Sequence, residues 1–522
     1  MTTRYFDVIV LGRSIGALSA AALLARRDFR VLVLGQGTRA CNYTFDGMTF
    51  RRRAFTMLAS AAPPWKRLLH ELAQTQSFRR RLVALDPMFT VVLPDQRLDL
   101  PPDIELYERE IEREFPEVRQ VVDELYGSLA TTNALVDEAF ERDLVWPPAT
   151  LWERFETSRV TQSLPYTRSQ SGVDLLARLP LGHPYRPIVT LSAQFASHLA
   201  NHPDPAPPLS VARLHGAWTR GLLTLERGED ELTEFLVERI EAHGGTCRLD
   251  SRATNIVLHR GHVSGVLEDG DEQPIGTSRI ITNHNGEEMA ALTGGQGVLS
   301  SAKRRWPKLA PAVGRYVASL LIRTNGLPQS LPAESFIVPT RPGQYDPRRP
   351  TVHLQRVAKP ANSVSGVVPD GELLVAELLL PARGPLTLLE AREAVLSTLR
   401  TCLPFFERHL IALDSPYDGL PLWLYGEGGR RDVDRIHVRE TLPQGEPLDC
   451  QWSVEPRGYL DLAGEPLRGP IPGTYLVGSS VLPALGQEGE VVAALSVARI
   501  ITQKGGGHQR MRQKMWSRIE TS

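Results

Sequence analysis

Residues 6–37, FDVIVLGRSIGALSAAALLARRDFRVLVLGQG, constrain the fold more than any other stretch, because they read as one complete strand, turn, helix and strand. Residues 7–11 are an apolar β-rich run, 12–16 a tight turn, 17–26 a helix small and apolar enough to pack on a sheet, and 30–34 a second buried strand. In such a βαβ unit the first turn presents unpaired N–H groups and the positive end of a helix dipole, which together favour the diphosphate of a dinucleotide. Laid on GxGxxG, the glycine positions are Gly12, Ser14 and Ala17, with Gly16 in addition. Gly12 keeps the tight turn and Ala17 allows close packing of helix on strand, whereas Ser14 offers a hydroxyl where the diphosphate approaches the backbone. After the second strand, where a carboxylate normally takes the adenosine ribose, the chain reads Gly35, Gln36, Gly37. The neutral amide of Gln36 makes weaker bonds to a ribose hydroxyl than a carboxylate would.

At 522 residues the chain exceeds one small core, so two domains are expected. A net charge of -1 gives no bulk attraction to nucleic acid or to an anionic membrane. The four cysteines, Cys41, Cys247, Cys402 and Cys450, lie far apart and form no CxxC pair, which predicts free thiols in a reducing, cytoplasmic compartment and no zinc site. Asp7 and Arg13 interrupt the apolar N-terminus, against a signal peptide, and no run approaches the ~20 apolar residues of a spanning helix.

Farther along, residues 47–50 predict a short strand followed by Arg51, Arg52 and Arg53, read as a solvated basic corner in preference to a phosphate contact. Residues 89–93 and 97–100 predict a hairpin about Pro94 and Asp95, and 104–115 a helix opened by Asp103 and closed by Pro116. The stretch 117–215 is helical, broken by Pro147, Pro165, Pro187 and the PDPAPP run at 203–208, as expected of a helical insertion with a Pro-rich exit. A helix over 229–242 stops at Gly244 and Gly245; strands follow at 246–249, 253–259, 262–267 and 278–283, then strands at 316–323 and 373–380 and a helix over 387–403. Residues 473–503 read as a strand ending at Gly478, a loop with Pro483, Gly486 and Gly489, and a long apolar helix.

The two ends together make the chain resemble the flavin-containing amine oxidase and phytoene desaturase superfamily, nearest to the phytoene desaturase and carotenoid isomerase branch. The carriers are the βαβ unit, DGMTF after it, the VVLPDQRLDL hairpin, the VSGVLEDG hairpin, the strand to Asn283 and residues 475–492. The resemblance implies an α/β fold: a discontinuous Rossmann-like FAD-binding domain (1–58, 216–286 and 450–503), a second α+β substrate domain with the helical insertion (59–215 and 287–449), and a basic C-terminal tail (504–522). It implies FAD held at Gly12, Arg13, Ser14, Ile15, Gly16 and Ala17, at Gln36, Arg39 and Ala253, and at Gly478, Ser479, Ser480, Gly486, Gln487, Glu488, Gly489 and Val491. If Ser14 and Gln36 are weak replacements there, restoring glycine and glutamate should tighten FAD. Several positions differ from the pattern: Ala40, Cys41 and Asn42 replace a Gly-Gly-Arg, and Ser479 and Ser480 stand where an acid is common.

For chemistry, the resemblance implies a flavin that accepts a hydride, with the protein supplying a dry, elongated apolar pocket for an isoprenoid-like substrate that is desaturated or isomerised. Stretches such as LWERF and PLWLYG suit that pocket, and no metal requirement is expected. Glu488 and Glu490 are the candidates for acting on a substrate proton, the plainer reading being a helix cap. His215 and Trp218 either line the substrate path or belong to the core. The tail carries Lys504, Arg510, Arg512, Lys514 and Arg518 among Met511, Met515 and Trp516, a mixture suited to the inner face of an anionic membrane or to a solvated end. Two alternatives stand beside the desaturase reading. One is an FAD amine oxidase, which would want an aromatic cage facing the flavin, for which the candidates Trp452, Tyr459 and Tyr475 are too scattered in the sequence. The other is a non-catalytic scaffold or partner protein that has lost the cofactor.

Overall fold

The computed structural model describes residues 5–166, 175–200, 206–341, 344, 346–357, 371–434 and 445–519, with backbone alone from 504 onward. In chain order the elements that position the site are β1 (Val8–Leu11), α1 (Ile15–Arg26), β2 (Val31–Leu34), α2 (Arg119–Glu141), α3 (Pro208–Thr219), α4 (Glu229–Ala242), β3 (Thr246–Arg248), β4 (Ile280–Thr282), β5 (Lys308–Arg323), β6 (Val352–Val357), β7 (Gly371–Pro381), α5 (Leu388–Cys402), β8 (Thr474–Leu476) and α6 (Gly486–Ile519).

The first sheet is parallel throughout, in the order β8-β4-β1-β2-β3. Its register sets Val10 beside Val33 and Ile281, and Ile281 beside Tyr475. Every residue of β1, β2, β4 and β8 is buried, as an all-parallel sheet covered on both faces requires. Helix α1 packs on both α4 and α6, and its small residues from Gly16 to Ala25 are all buried. The sheet therefore gathers strands from the start, the middle and the end of the chain around the βαβ unit.

The second sheet has ten strands and is centred on β5, which runs antiparallel to β7 from Val313 opposite Pro381 to Arg323 opposite Gly371. The Phe89–Val92 and Arg97–Leu100 hairpin joins it by a parallel pairing of Phe89–Val92 with Glu334–Ile337. Strand β5 begins at Lys308, eight residues ahead of the 316 start expected from sequence, because its first half pairs a different partner, Asp449–Glu455. The register shifts between Pro311 and Val313, where a residue without an N–H is tolerated. Helices from Ile104–Glu114 to Pro208–Thr219 occupy the stretch expected as a helical insertion. Part of its Pro-rich exit, 203–205, lies outside the described residues, and Pro208 opens α3 at the position where a missing N–H costs nothing. No described helix is long and apolar enough to cross a membrane. The side chains of the basic tail lie outside the described residues.

The basic corner is not solvated. Arg51 is buried and donates to Gln355 Oε1 at 3.3 Å; Arg52 is bound to both oxygens of Glu446, and Arg53 to both of Glu229. These three arginines join the hairpin after β2 to α4 and to the second sheet. The same seam holds a row of buried ionic groups on β5, β6 and β7. His353 lies between Glu334 (2.8 Å) and Glu377 (3.0 Å); Glu377 also takes Arg315 (2.7 Å), and Glu334 takes Gln355 (2.8 Å) and the Thr56 hydroxyl (2.6 Å). Burial alone would lower the His353 pKa, but the bonds and charges of the two glutamates outweigh it and raise it to about 9. Arg392 on α5 is likewise buried, bidentate to Asp418 at 2.6 and 2.9 Å, and donates to the Pro421 carbonyl at 2.7 Å.

Two consequences can be measured. Arg392→Met leaves Asp418 buried with two neutral donors, the Tyr316 hydroxyl and the Leu420 N–H, and should destabilise the fold by roughly 3–5 kcal/mol, read as a lowered Tm; Asp418→Asn in the same chain should restore part of it. Because the His353 pKa is raised on folding, its contribution is full below the ordinary histidine value of 6.5 and is lost as pH rises through about 9. The Tm difference between wild type and His353→Gln should therefore be largest near pH 6 and shrink between pH 6.5 and 9; a difference that grows with pH would refute the assignment.

Candidate functional site: the crevice at the end of the first sheet

At the first turn, Gly12 has φ 109°, and a Cβ there would fall 1.5 Å from Asn283 Oδ1, so this position needs glycine. Ser14 is the N-cap of α1, and its hydroxyl accepts from the Ala17 N–H at 3.3 Å. Gly16 packs so closely that a Cβ would lie 2.2 Å from the Val477 carbonyl. Its N–H donates to Glu490 Oε2 at 3.1 Å, in a buried contact that spans almost the whole chain. The second Glu490 oxygen lies 3.3 Å from His198 Nε2. The helix terminus expected to face a diphosphate thus faces a carboxylate from α6. Ile15 packs partly buried against the first core, and Arg13 lies 3.8 Å from Asp230.

The position expected to meet the ribose is also engaged. Gln36 adopts φ 53° and turns its amide onto Ala253, donating from Nε2 to the Ala253 carbonyl at 2.9 Å and accepting from the Ala253 N–H at 2.7 Å. Its replacement by glutamate would set a carboxylate oxygen against that carbonyl, so the expected gain from Gln36→Glu is not supported by this geometry. Arg39 pairs with Glu446 at 2.5 Å. The N–H groups of Cys41 and Asn42, in the segment that departs from Gly-Gly-Arg, both donate to the Asp230 carboxylate, at 2.8 and 2.9 Å.

At the other end, Gly478 lies against Asn283, where a Cβ would be 2.1 Å from its carbonyl, and Ser479 Oγ accepts from Trp452 Nε1 at 3.1 Å. The Ser480 carbonyl accepts the Glu465 N–H. Gly486 (φ 54°) begins α6, and Gln487 bridges to the 56–59 segment, donating to the Thr56 carbonyl at 2.8 Å and accepting from the Ala59 N–H at 3.2 Å. Gly489 lies close to the Leu482 carbonyl, and Val491 is fully buried. Glu488 is held bidentate by Arg213 of α3, which also binds Asn133 and Asp137 of α2 and is 1% exposed. The cavity beside this loop is about 10 Å³, and Arg213, Arg220, Gln487 and Glu488 share its lining with Leu58, Leu214 and Leu485. That is room for about one water, not the elongated apolar pocket expected from sequence.

Other expectations shift for plain reasons. His215 is buried between Tyr126 and Ser192, 2.7 Å from each, and burial lowers its pKa to about 3, so it is a neutral core group. Trp218 packs edge-on against Phe89 and Phe336. Leu151, Trp152 and Phe155 of LWERF are on the surface, and PLWLYG supplies the sheet strand Leu422–Gly426. Tyr459 packs on Trp146, Tyr475 is a β8 residue and Trp452 binds Ser479, so the three form no common cage. Sequence reasoning missed Arg213, His198, Asp230 and His353. A lone arginine in the apolar run PLSVARLHGAW was the available signal for the first.

Residues 10–72 match the NAD(P)-binding Rossmann-like domain family. No curated protein matches the sequence. Among solved structures, an oxidoreductase from Methanosarcina mazei superposes with TM-score 0.58 at 16% identity, over 94% of this chain and 99% of the other. Cyclohexylamine oxidase from Brevibacterium oxydans gives 0.54 at 14% identity, over 96% and 99%. A putrescine oxidase variant gives 0.54 at 13% identity, also over 96% and 99%. With a parallel sheet built from both ends of the chain and a second sheet beside it, this protein has the FAD-dependent oxidoreductase fold that these structures share.

Proposed function

We propose that this protein is an FAD-dependent oxidoreductase acting on an apolar, isoprenoid-like substrate. The observation that carries the FAD part of the reading is the place of the α1 N-terminus, after a glycine turn at the end of β1 in a parallel sheet, where backbone N–H groups and the helix dipole favour a diphosphate. Gly12, Ser14, Gly16, Ala17, Ala253 and the Gly486 to Gly489 loop are the residues that would hold FAD, once the side chains now bound to Gly16 and Ala253 have moved aside. When bound, the flavin supplies acceptance of a hydride from a substrate C–H bond. Gln487 fixes the loop against the 56–59 segment, and Arg213 holds Glu488 in place. With Glu488 and Glu490 both engaged, no carboxylate of this loop is left for proton transfer, which suits a hydrocarbon whose reaction depends on positioning. With a cavity of about 10 Å³, a substrate would reach the loop only when the residues lining it part. The cations and Trp516 of the 504–522 tail suit docking on an anionic lipid surface, from which such a substrate would be drawn.

A second reading, a non-catalytic protein using the fold as a scaffold, is favoured by that small, partly polar cavity and by the carboxylate on Gly16. The absorbance spectrum separates the two. Flavin bands released by denaturation, in the purified protein or after FAD addition, are expected; a colourless protein that takes up no FAD leaves the scaffold reading. In a flavin-loaded protein, turnover of a soluble amine without lipid or detergent would replace the isoprenoid class by the amine class.

A further inference from the structure

The dinucleotide cradle is filled by the chain itself at Gly16 and Ala253, two of the places where FAD would be gripped, and the segment after β2 is closed in the same way. Glu490 holds the Gly16 N–H, Gln36 holds both backbone groups of Ala253, and Asp230 holds the N–H groups of Cys41 and Asn42. These are the chemical counterparts of a dinucleotide: an anion at the helix terminus and an amide edge at a paired N–H and carbonyl. Glu490 is 7% exposed, and its backbone is fixed against Gly16, where no Cβ would fit, so only its side chain can give way.

We propose that Glu490 is an internal competitor for the diphosphate of FAD, seconded by Gln36, and that FAD enters only as these side chains leave Gly16 and Ala253. The proposal rests on the reading that this chain takes FAD. One N–H and one helix end cannot serve a carboxylate and a diphosphate together, because the two anions repel at that distance. His198 Nε2, 3.3 Å from the other Glu490 oxygen, is the polar atom toward which the carboxylate can turn. Held in place, Glu490 stabilises the chain without cofactor; displaced, it costs that contact.

Such a competitor has a signature that an ordinary structural residue lacks, since its removal should weaken the protein without FAD and strengthen its hold on FAD. The experiment titrates deflavinated full-length protein with FAD, following flavin fluorescence, and records Tm without FAD. Glu490→Ala should lower Tm and tighten FAD about 10-fold. Glu490→Gln, which keeps the size and the acceptor but not the charge, should fall between, and Gln36→Asn, too short to reach Ala253, should tighten FAD further when combined. FAD affinity equal to or weaker than wild type in both Glu490 variants would overturn the proposal while leaving FAD binding intact. Uptake by the variants alone would support it most strongly. No uptake by any of these proteins would overturn the FAD reading itself, and the proposal with it.

Discussion

The contact between Gly16 and the segment running from Val477 into α6 is the constraint on which the rest of the structure depends. A Cβ at Gly16 would fall 2.2 Å from the Val477 carbonyl and 3.1 Å from the Glu490 carbonyl, so the two ends of the chain meet at backbone distance. That closeness aligns β8 with β4 and β4 with β1, and lays α6 along α1. It also brings the α6 carboxylates to the crevice, Glu490 onto Gly16 and Glu488 onto Arg213. The features that would make a cofactor site, a helix terminus at the end of a parallel strand and a glycine turn before α6, therefore arise from the same packing that closes it.

The second sheet is coupled to this crevice through polar groups rather than through an apolar cleft. Gln487 binds the Thr56 carbonyl, the Thr56 hydroxyl binds Glu334, and Glu334 leads through His353 and Glu377 to Arg315, which donates to the carbonyls of Phe195 and Ser197. Buried ionic groups in a chain of this kind are costly unless each is paired, and here each has a partner. Such pairing fixes the second sheet in one position relative to the Gly486 loop, because sliding it would strand a charge.

Much of the fold was legible because its signals are local. The βαβ unit, the Pro-Asp hairpin, the helix opened by Asp103 and the terminal strand and helix all follow from periodicity and capping within a few residues. The side-chain content of the site was not legible, because it is set by partners far away in sequence: Glu490 is 474 residues from Gly16, and Ala253 is 217 from Gln36. The arginines at 51–53 show the same limit. As a short charge run they predict a solvated surface, yet Glu226, Glu229, Gln355 and Glu446 come from elements that folding brings to them. Sequence pattern reports which faces are apolar, and says little about which buried donor meets which acceptor.

The strand order of the first sheet bears on how the chain matures. Its strands arise near residues 8, 31, 246, 280 and 474, whereas the second sheet draws on residues 89–100 and 308–455. The second sheet can thus be complete while the first still lacks β8, leaving Ile280–Thr282 an unpaired apolar edge and α1 without its cover from α6. The crevice comes into being only once β8 and the start of α6 have been made. Any quality control that senses exposed strand edges would therefore act on this protein at residues 280–282, about 190 residues ahead of the missing strand.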